Sequence, residues 1–288
     1  MKPFLKWAGG KTRIVARIQA VLPPGRRLVE PFVGSGALFL NTEYADYLLA
    51  DANRDLINCY RRLQQGGPAF IDLCAAYFTP ANNQPDAYYA LRAHFNTTTD
   101  AVEKAAIFVY LNRHGYNGLC RYNASGGFNV PFGKYAKPYF PRGEMGNFWQ
   151  KAARCEFVVA DFATTLQATT PGDVVYCDPP YVPLSATAHF TSYSADGFPL
   201  ASQRRLAQEA EAAARRGVPV VISNHDVPFT REIYAGADAH VFFDVQRNIS
   251  CDRLNRAAAA ELLAVFTPRP ATTPPAPPPH PPSPATPN

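Results

Sequence analysis

The sequence predicts an α/β protein in which a sheet is flanked by helices. Short apolar runs rich in β-branched and aromatic residues recur along the chain and predict strands. They lie at residues 28–32, 47–50, 155–160, 174–176 and 218–223. Helical periodicity fills other segments, as at Leu56, Ile57, Tyr60 and Leu63, and a helix is expected at 201–216, ended by a glycine. The 288 residues, 47% of them hydrophobic, are enough for a large buried core.

The predicted strand 174–176 ends in the sequence Asp178-Pro179-Pro180-Tyr181, one residue later. Two consecutive prolines cannot continue a hydrogen-bonded ladder, so the chain leaves the sheet in a stiff, extended turn. Asp178 and the Pro179 carbonyl can accept both hydrogens of a planar amino group, and Tyr181 offers a face on which a nucleobase stacks. The pattern predicts a site for the exocyclic amine of a base. A strand-ending turn with a structural aspartate is the alternative.

A glycine-rich loop follows the first predicted strand, and a helix is expected from Ala37. Gly34 allows a tight turn, and Gly36 lets the backbone approach a ligand closely. The next predicted strand ends at Asp51, whose carboxylate can accept hydrogen bonds from ribose hydroxyls. Because the loop lacks the third glycine of a dinucleotide site, an adenosine ligand without a pyrophosphate fits better than NAD. This combination suggests S-adenosylmethionine.

A glycine pair near the N terminus lies between Trp7 and Lys11. A phosphate-binding P-loop is excluded, because Leu5 stands where its first glycine belongs. We expect the pair to form a tight bend that brings Trp7 and Lys11 against a ligand, with a capped helix start and a core tryptophan as the alternative. Farther along, Asp161 and Phe162 end another predicted strand. They could bracket an adenine ring, or form a plain strand-loop junction.

Residues 104–143 contain no Asp or Glu and are rich in Lys, Arg, Asn and aromatic residues. Lys and Arg hold phosphates, while Asn and Arg read base edges. The turn Ser125-Gly126-Gly127 predicts a hairpin that could enter a groove. Together with a net charge of +5, this block predicts a nucleic-acid surface; a solvated basic loop is the alternative.

Other features exclude several classes of protein. The six cysteines are scattered with no CxxC pair, which argues against a zinc site and a disulfide scaffold and fits a reducing cytoplasm. No N-terminal apolar region and no run of 18 apolar residues is present, so we expect a soluble, non-secreted protein. The polar and aromatic segment 187–198 is expected to cover an occupied pocket, and the Pro-rich segment 268–288 to be a disordered tail.

Five blocks, taken together and in order, resemble the Dam family of DNA adenine methyltransferases, the D12 class with alpha-type motif order. The blocks are FLKWAGGK, FVGSG, the strand-end Asp51, NRHGYNGLCRYN…GGFNVPFGKY and CDPPYVPLSATAHFTSY, and the similarity covers nearly all of residues 2–267. The resemblance implies a Rossmann-like, S-adenosylmethionine-dependent methyltransferase sheet flanked by helices. An inserted, mostly helical target-recognition domain would carry a β-hairpin. The implied division is a catalytic domain at 1–54 and 146–267, a recognition domain at 55–145 and the tail at 268–288.

The resemblance also implies an activity. A methyl group would pass from S-adenosylmethionine to the 6-amino group of adenine in duplex DNA, within GATC, by direct in-line attack from a flipped-out base. We expect no metal, no membrane association, and a monomer in the cytoplasm of a bacterium or of a phage host, held near the nucleoid by DNA. Service in mismatch repair and replication, or in a restriction-modification system, stays open. The alternatives are an amino-methyltransferase acting on RNA or protein, and a catalytically silent DNA-binding module.

Candidate residues fall into three groups. The catalytic group is Asp178, Pro179 and Tyr181. The cofactor group is Trp7, Lys11, Phe32, Gly34, Gly36, Asp51, Asp161, Phe162 and Asp178. In the DNA group, Lys6, Asn117, Leu119, Arg121 and Lys134 match the family's base and phosphate contacts, and Asn123 and Tyr135 of the same block are added.

The sequence departs from the family pattern at two places. Lys134 stands where the enterobacterial pattern has Arg, so a single contact would replace a bidentate one there. The segment Ser250-Cys251-Asp252-Arg253 lacks the glycine-rich character expected after R-x-I-S, which leaves its DNA contacts undefined.

Overall fold

The computed structural model describes residues 1–184, 198–245 and 259–269. Within these ranges a seven-stranded sheet forms the centre of the protein, in the order β3-β2-β1-β4-β5-β7-β6. The strands are β1 (Arg27–Glu30), β2 (Asp46–Asp51), β3 (Cys155–Val159), β4 (Asp173–Cys177), β5 (Val220–His225), β6 (Ala239–Val245) and β7 (Ala259–Phe266). Strands β1 to β5 pair in parallel, and β7 runs antiparallel to both β5 and β6.

Helices cover both faces of this sheet. They are α1 (Val15–Gln19), α2 (Arg54–Ala76), α3 (Pro85–Thr97), α4 (Ala101–His114), α5 (Arg142–Ala152), α6 (Phe162–Gln167), α7 (Leu200–Arg215) and α8 (Pro228–Ile233). On one face of the sheet, helices α2 to α5 pack into one hydrophobic core, which we call the first core. On the other face, α6 and α7 pack into a second core. The predicted α/β sheet flanked by helices is therefore confirmed. Helix α7 is followed by Gly217 at φ +87°, the left-handed glycine that the sequence predicted.

The order of the strands places the two main motifs side by side. Strands β1 and β4 are parallel neighbours, with Val29 opposite Val175. Strand β4 is buried at every position, as expected for a strand covered on both faces. The sheet continues from β1 towards β2 and from β4 towards β5, so the strand order reverses between them. Open α/β sheets bind ligands at such a switch point, beyond the carboxyl ends of the strands.

An ion pair closes the opposite end of the same two strands. The guanidinium of Arg27 donates two hydrogen bonds of 2.8 Å to the carboxylate of Asp173. Asp173 is buried, so the bidentate geometry compensates for the loss of hydration. This pair fixes the register of β1 and β4 away from the ligand edge.

The prediction of a helix from Ala37 is wrong. The structure has a 3₁₀ turn at Phe39–Asn41 instead. The side chain of Asn41 donates to the carbonyl of Ala37 at 2.8 Å, and the hydroxyl of Thr42 donates to that of Leu38 at 3.0 Å. Side chains that take these carbonyls compete with the backbone bonds of a longer helix.

The predicted hairpin is short. Its two arms meet in a single antiparallel bridge, Tyr122 with Phe128, and the turn is closed by a bond of 2.9 Å from the N–H of Asn123 to the carbonyl of Gly127. Strand β6 was not predicted at all. Three of the sequence predictions fall largely outside the described residues. They concern the cover at 187–198, of which only residue 198 is described, the segment Ser250–Arg253, and the tail at 268–288, of which only 268 and 269 are described.

The described ranges contain neither a membrane-spanning helix nor a cluster of metal-ligating side chains. None of the helices there is long and apolar enough to cross a bilayer. No group of three or more His, Cys, Asp or Glu side chains in that part of the chain is arranged to hold a metal ion.

Candidate active site

The turn after β4 is held by two buried amide side chains. Gln203 on α7 donates to the carbonyl of Pro180 at 2.7 Å, and the side-chain oxygen of Asn224 accepts from the N–H of Val182 at 3.0 Å. Asn224 also donates to Gln203 at 3.1 Å, which joins the two supports. Because both supports are rigid parts of the core, the prolines and their neighbours hold one geometry.

Asp178 follows β4 and points at two donors. Lys11 Nζ lies 2.9 Å from Oδ1, and the hydroxyl of Ser223 donates to the same oxygen at 3.1 Å. Among the described residues, none donates to Oδ2. Burial raises the pKa of Asp178, while the charge of Lys11 and the hydrogen bonds from Lys11 and Ser223 oppose that rise.

The Lys11 ammonium shows what this corner can bind. It lies 4.1 Å from the centre of the Tyr181 ring, and it donates to the carbonyl of Gly9 at 2.8 Å. Its side chain is 11% exposed. A nitrogen with hydrogens thus contacts an aromatic face and a carboxylate together, the combination predicted for a target amine.

The Tyr181 ring is fixed from two sides. Its hydroxyl donates to Glu261 Oε2 at 3.2 Å, and the ring of His225 packs edge-on with centroids 4.8 Å apart. His225 Nδ1 in turn lies 2.6 Å from the carbonyl of Val182. His225 therefore supports the turn structurally.

The glycine loop packs against Trp7 beside this corner. Gly34 has φ +47°, and a Cβ there would lie 2.9 Å from Trp7 Nε1, so only glycine fits. Its N–H donates to Asp51 Oδ2 at 3.1 Å, and its carbonyl accepts from the Tyr60 hydroxyl at 2.5 Å. Gly36, also left-handed at φ +70°, ends the turn. The N-terminal bend, the loop and the end of β2 thus form one cradle.

Asp51 closes the far side of that cradle. Its Oδ1 accepts from the N–H of Asn53 at 2.9 Å. Burial raises the pKa of Asp51, and the hydrogen bonds from Asn53 and Gly34 offset part of the rise. A carboxylate has about four acceptor positions, so lone pairs remain for two hydroxyl groups of a ligand.

An aromatic cluster lies next to the loop. The rings of Phe32 and Phe162 stack with centroids 5.6 Å apart, and Phe198 packs edge-on against both. The carboxylate of Asp161 is engaged at the start of α6. Its Oδ1 accepts from the N–H of Thr164 at 2.8 Å and caps α6, which lowers the pKa of Asp161.

Three candidate DNA residues from distant parts of the chain meet at one place. Lys6 Nζ lies 4.2 Å above the centre of the Tyr135 ring, and the Tyr135 hydroxyl accepts from the N–H of Asn117 at 2.9 Å. Asn117 and Lys134 both have left-handed backbones, at φ 53° and 55°. Asn112 fixes the Lys6 backbone through bonds of 2.8 Å and 2.7 Å.

Two other candidates, Arg121 and Asn123, lie on the hairpin, and Leu119 precedes it. Arg121 is exposed, and its Nε donates to Asn129 Oδ1 at 2.8 Å, which orients the guanidinium along the hairpin. Asn123 Oδ1 accepts from the N–H of Gly127 at 2.8 Å, so its oxygen serves the turn and its amide nitrogen remains for a partner. Leu119 is half-buried against the first core.

The base of the hairpin docks on the first turn of α2. The Tyr122 hydroxyl donates to Asp55 Oδ2 at 2.7 Å, and the Asn53 amide donates to Cys120 Sγ at 3.3 Å. Asn53 also caps α2 and contacts Asp51. The hairpin and the cradle are therefore joined through Asn53.

This assembly can be compared with known proteins. The model of the D12 class of N6 adenine-specific DNA methyltransferases matches residues 7–249. The chain belongs to this class. Relatives named DNA adenine methylase include that of Vibrio cholerae, 50% identical over 93% of this chain and 96% of its own length. Those of Salmonella typhi and Escherichia coli K12 are each 47% identical, over 94% and 93% of this chain and 97% and 96% of their own lengths.

Two solved structures are similar to this methyltransferase at much lower sequence identity. A precorrin-6y C5,15-methyltransferase from Geobacter metallireducens is 10% identical, covers 93% of this chain and 100% of its own, and has a TM-score of 0.38. TrmN from Thermus thermophilus is 11% identical, the match covers 89% of this chain and 48% of TrmN, and the TM-score is 0.37. Similarity at this level carries no functional argument.

Three side chains of the methyltransferase that were not selected from the sequence also contact or border the site. Tyr116 is 48% exposed beside Asn117, and its membership of the aromatic block was its only signal. Ser223 contacts Asp178, and Tyr176 lies behind Ser223. Both are buried strand residues, and nothing in a periodic pattern separates them from ordinary core positions.

Proposed function

We propose that this methyltransferase transfers the methyl group of S-adenosylmethionine to the 6-amino group of adenine within GATC in duplex DNA. The observation that carries the proposal is the corner formed by Asp178, Lys11 and Tyr181. A nitrogen donor there contacts a carboxylate at 2.9 Å and lies 4.1 Å from an aromatic centre. The glycine loop lies next to it, because β1 and β4 are neighbouring strands.

The residues of the cradle fit the proposed methyl donor. Asp51 would accept hydrogen bonds from the ribose hydroxyls, and the backbone of Gly34 and Gly36 leaves room for the methionine end. Phe32 and Phe162 present stacked rings for the adenine. When bound, S-adenosylmethionine supplies a methyl group on a positively charged sulfur, which an amine nitrogen can attack.

The target adenine must leave the base stack to reach this corner, at a cost of a few kcal/mol. Tyr181 would stack on the base and hold its plane, because Glu261 and His225 keep the ring still. Asp178 Oδ2 and the Pro179 carbonyl would accept the two hydrogens of the amino group. The nitrogen lone pair then points away from both acceptors. Its attack on the methyl carbon would break the sulfur–methyl bond, a neutral thioether would leave, and the amine would lose one proton, for which the Asp178 carboxylate is the adjacent acceptor. Most of the catalysis is positioning.

We assign catalysis to residues 1–54 and 146–267 and DNA recognition to 55–145. Lys6, Asn117 and Tyr135 form one contact surface with the neighbouring Lys134, and Arg121 and Asn123 lie on the adjacent hairpin. Exposed Lys and Arg would hold phosphates, and the Asn and Arg side chains would read base edges. Lys134 offers a point charge in place of a planar fork, so its contribution would be less sequence-specific.

The direct test is to incubate plasmid DNA with the protein and S-adenosylmethionine and to map the modified adenines. Modification confined to GATC is expected. Modified adenines elsewhere would refute the specificity, and RNA or protein methylated in preference to duplex DNA in a competition assay would refute the substrate. Heat from S-adenosylmethionine binding, measured by calorimetry and lost in Asp51→Ala, tests the donor.

The role of Asp178 has its own variant. Asp178→Ala should lower the rate by about 10²–10³-fold or more, because the transition state loses a preorganised acceptor. DNA affinity should stay within about threefold, since the exposed hairpin is untouched. Asp226→Ala is the matched control: this carboxylate also follows a strand end but pairs with Arg231 at 2.6 Å. Normal methylation by Asp178→Ala would show that the assignment is wrong.

A further inference from the structure

A chain of hydroxyl groups lies behind Asp178. The hydroxyl of Tyr176 on β4 is 2.9 Å from Ser223 Oγ on β5, and Ser223 Oγ is 3.1 Å from Asp178 Oδ1. Ser223 is 0% exposed and Tyr176 is 2% exposed. Both hydroxyls are therefore shielded from bulk water.

The direction of the hydrogen bonds follows from the charges. Burial, with the negative charge of Asp178 next, raises the pKa of Tyr176 well above its usual value, so the phenol keeps its proton. Either hydroxyl could donate in the Tyr176–Ser223 bond, but the other partners of Ser223 Oγ, the Asp178 carboxylate and the Cys177 carbonyl, can only accept. The single Ser223 hydrogen therefore goes to one of these two oxygens, and Tyr176 donates to Ser223. Asp178 Oδ1 at 3.1 Å is closer than the Cys177 carbonyl at 3.4 Å and carries charge, so it is favoured.

We propose that Ser223, supported by Tyr176, is a positioning residue for methyl transfer. Its hydroxyl fixes Oδ1 of Asp178, which turns Oδ2 towards the substrate amine and favours the charged carboxylate. This inference rests on the proposed function, because the amine is the one assigned there.

Several charged or titratable groups face Asp178 and must be considered with Ser223. They are Lys11 from the N-terminal bend, Glu30 at the end of β1, Tyr176 on β4, Tyr181 in the turn, and Glu261 on β7 through the Tyr181 hydroxyl. Lys11 is the other donor to Oδ1. Without Ser223, Lys11 alone would oppose the rise in pKa that burial of Asp178 causes. The pKa of Asp178 should rise in consequence.

Ser223→Ala and Tyr176→Phe test the proposal through the pH profile of kcat. Asp178 must be charged to accept hydrogen bonds from Ser223 on one oxygen and from the substrate amine on the other. Protonation of Asp178 at low pH should therefore lower kcat, which gives the pH profile an acid limb. In Ser223→Ala the acid limb should move to higher pH by about one pH unit, the shift expected for one hydrogen bond to a charged group. At a given pH on the acid limb kcat should therefore fall roughly tenfold, with the KM for DNA unchanged. Tyr176→Phe should shift the limb less, in the same direction.

Tyr47→Phe is the matched control. Tyr47 is a buried strand tyrosine whose hydroxyl donates to the Thr42 carbonyl at 2.6 Å, away from Asp178. The variant loses this bond and the one that the Tyr47 hydroxyl accepts from the Tyr44 N–H at 2.9 Å. Neither bond involves Asp178, so the acid limb of Tyr47→Phe should match that of the unaltered protein. Unshifted limbs in both test variants, or an equal shift in Tyr47→Phe, would overturn the proposal.

A second measurement does not depend on activity. The carboxyl carbon of Asp178, labelled with ¹³C, can be titrated by NMR in the full chain without DNA or S-adenosylmethionine, and its midpoint should rise in Ser223→Ala. If that variant does not fold, Tyr176→Phe is titrated in its place. A chain that methylates nothing while this titration shifts would refute the proposed function alone. Normal methylation with an unshifted titration would refute only the role of Ser223.

Discussion

Glu30 is a buried acid whose ionisation should control stability between weakly acidic and weakly basic pH. It ends β1, is 3% exposed, and its Oε1 has no hydrogen-bond partner within the described part of the chain. Burial raises the pKa of Glu30 to about 8 from 4.5, and the charge of Asp178 adds to the rise. Glu30 should therefore hold a proton in the folded protein at neutral pH.

The pH dependence follows from this proton. The folded state keeps it up to about pH 8, while the unfolded chain releases it above about 4.5, so the free energy of unfolding is highest below 4.5 and falls as the pH rises. The whole interval corresponds to ~5 kcal/mol, of which roughly 3–4 kcal/mol appears between pH 5 and 8.

Glu30→Gln has nearly the same shape and cannot ionise. Urea unfolding followed by tryptophan fluorescence, at pH 5 and pH 8, gives the difference in free energy of unfolding between variant and unaltered protein. Between pH 5 and pH 8, the stability of Glu30→Gln relative to the unaltered protein should increase by roughly 3–4 kcal/mol. Glu232→Gln, which alters an exposed ion pair with Arg204, should show no such trend. A difference that is the same at both pH values would refute the reasoning.

Two further variants test the packing around the site. Tyr122→Phe removes the hydroxyl that donates to Asp55, so the free energy of unfolding should fall by about 1–3 kcal/mol and DNA binding should weaken, whereas exposed Tyr89→Phe should change neither. Asp173→Asn should lower stability at pH 7, as followed in urea, because Arg27 holds the pKa of Asp173 low in spite of burial. The gap should begin to narrow as the pH falls below about 4, where the unfolded chain takes up a proton, and it should vanish only below the lowered pKa of Asp173, where the folded carboxylate is protonated too. A gap of constant size from pH 7 down through that range would contradict the ion-pair account.

The strands were predictable where both faces are buried. Strand β4 reads as a continuous apolar run because helices cover both sides of it, and the predicted 174–176 lies inside the observed Asp173–Cys177. Strand β6 lies at the edge of the sheet and mixes exposed and half-buried positions, so its His240 and Asp244 interrupt any apolar run. Sequence periodicity does not predict such an edge strand.

The motif around Asp178 could be located from the sequence, but its environment could not. Lys11 is separated from Asp178 by most of the chain, and Ser223 meets it only because β5 pairs with β4. Sequence spacing does not give strand order, so no local pattern could pair these three residues. The same holds for Lys6 and Tyr135, which meet across the N-terminal segment and the basic block.

Two donors to one carboxylate oxygen have different consequences during the reaction. Lys11 is a long, flexible cation whose ammonium now lies over Tyr181, the ring on which the target base would stack. If the base displaces the Lys11 ammonium, the charge of Lys11 no longer opposes the rise in the pKa of Asp178 that burial causes, at the moment when transfer occurs. Ser223 is fixed on a central strand and cannot be displaced. A buried neutral donor can therefore keep Asp178 charged in a corner that becomes drier as substrate enters, which a mobile cation alone cannot do.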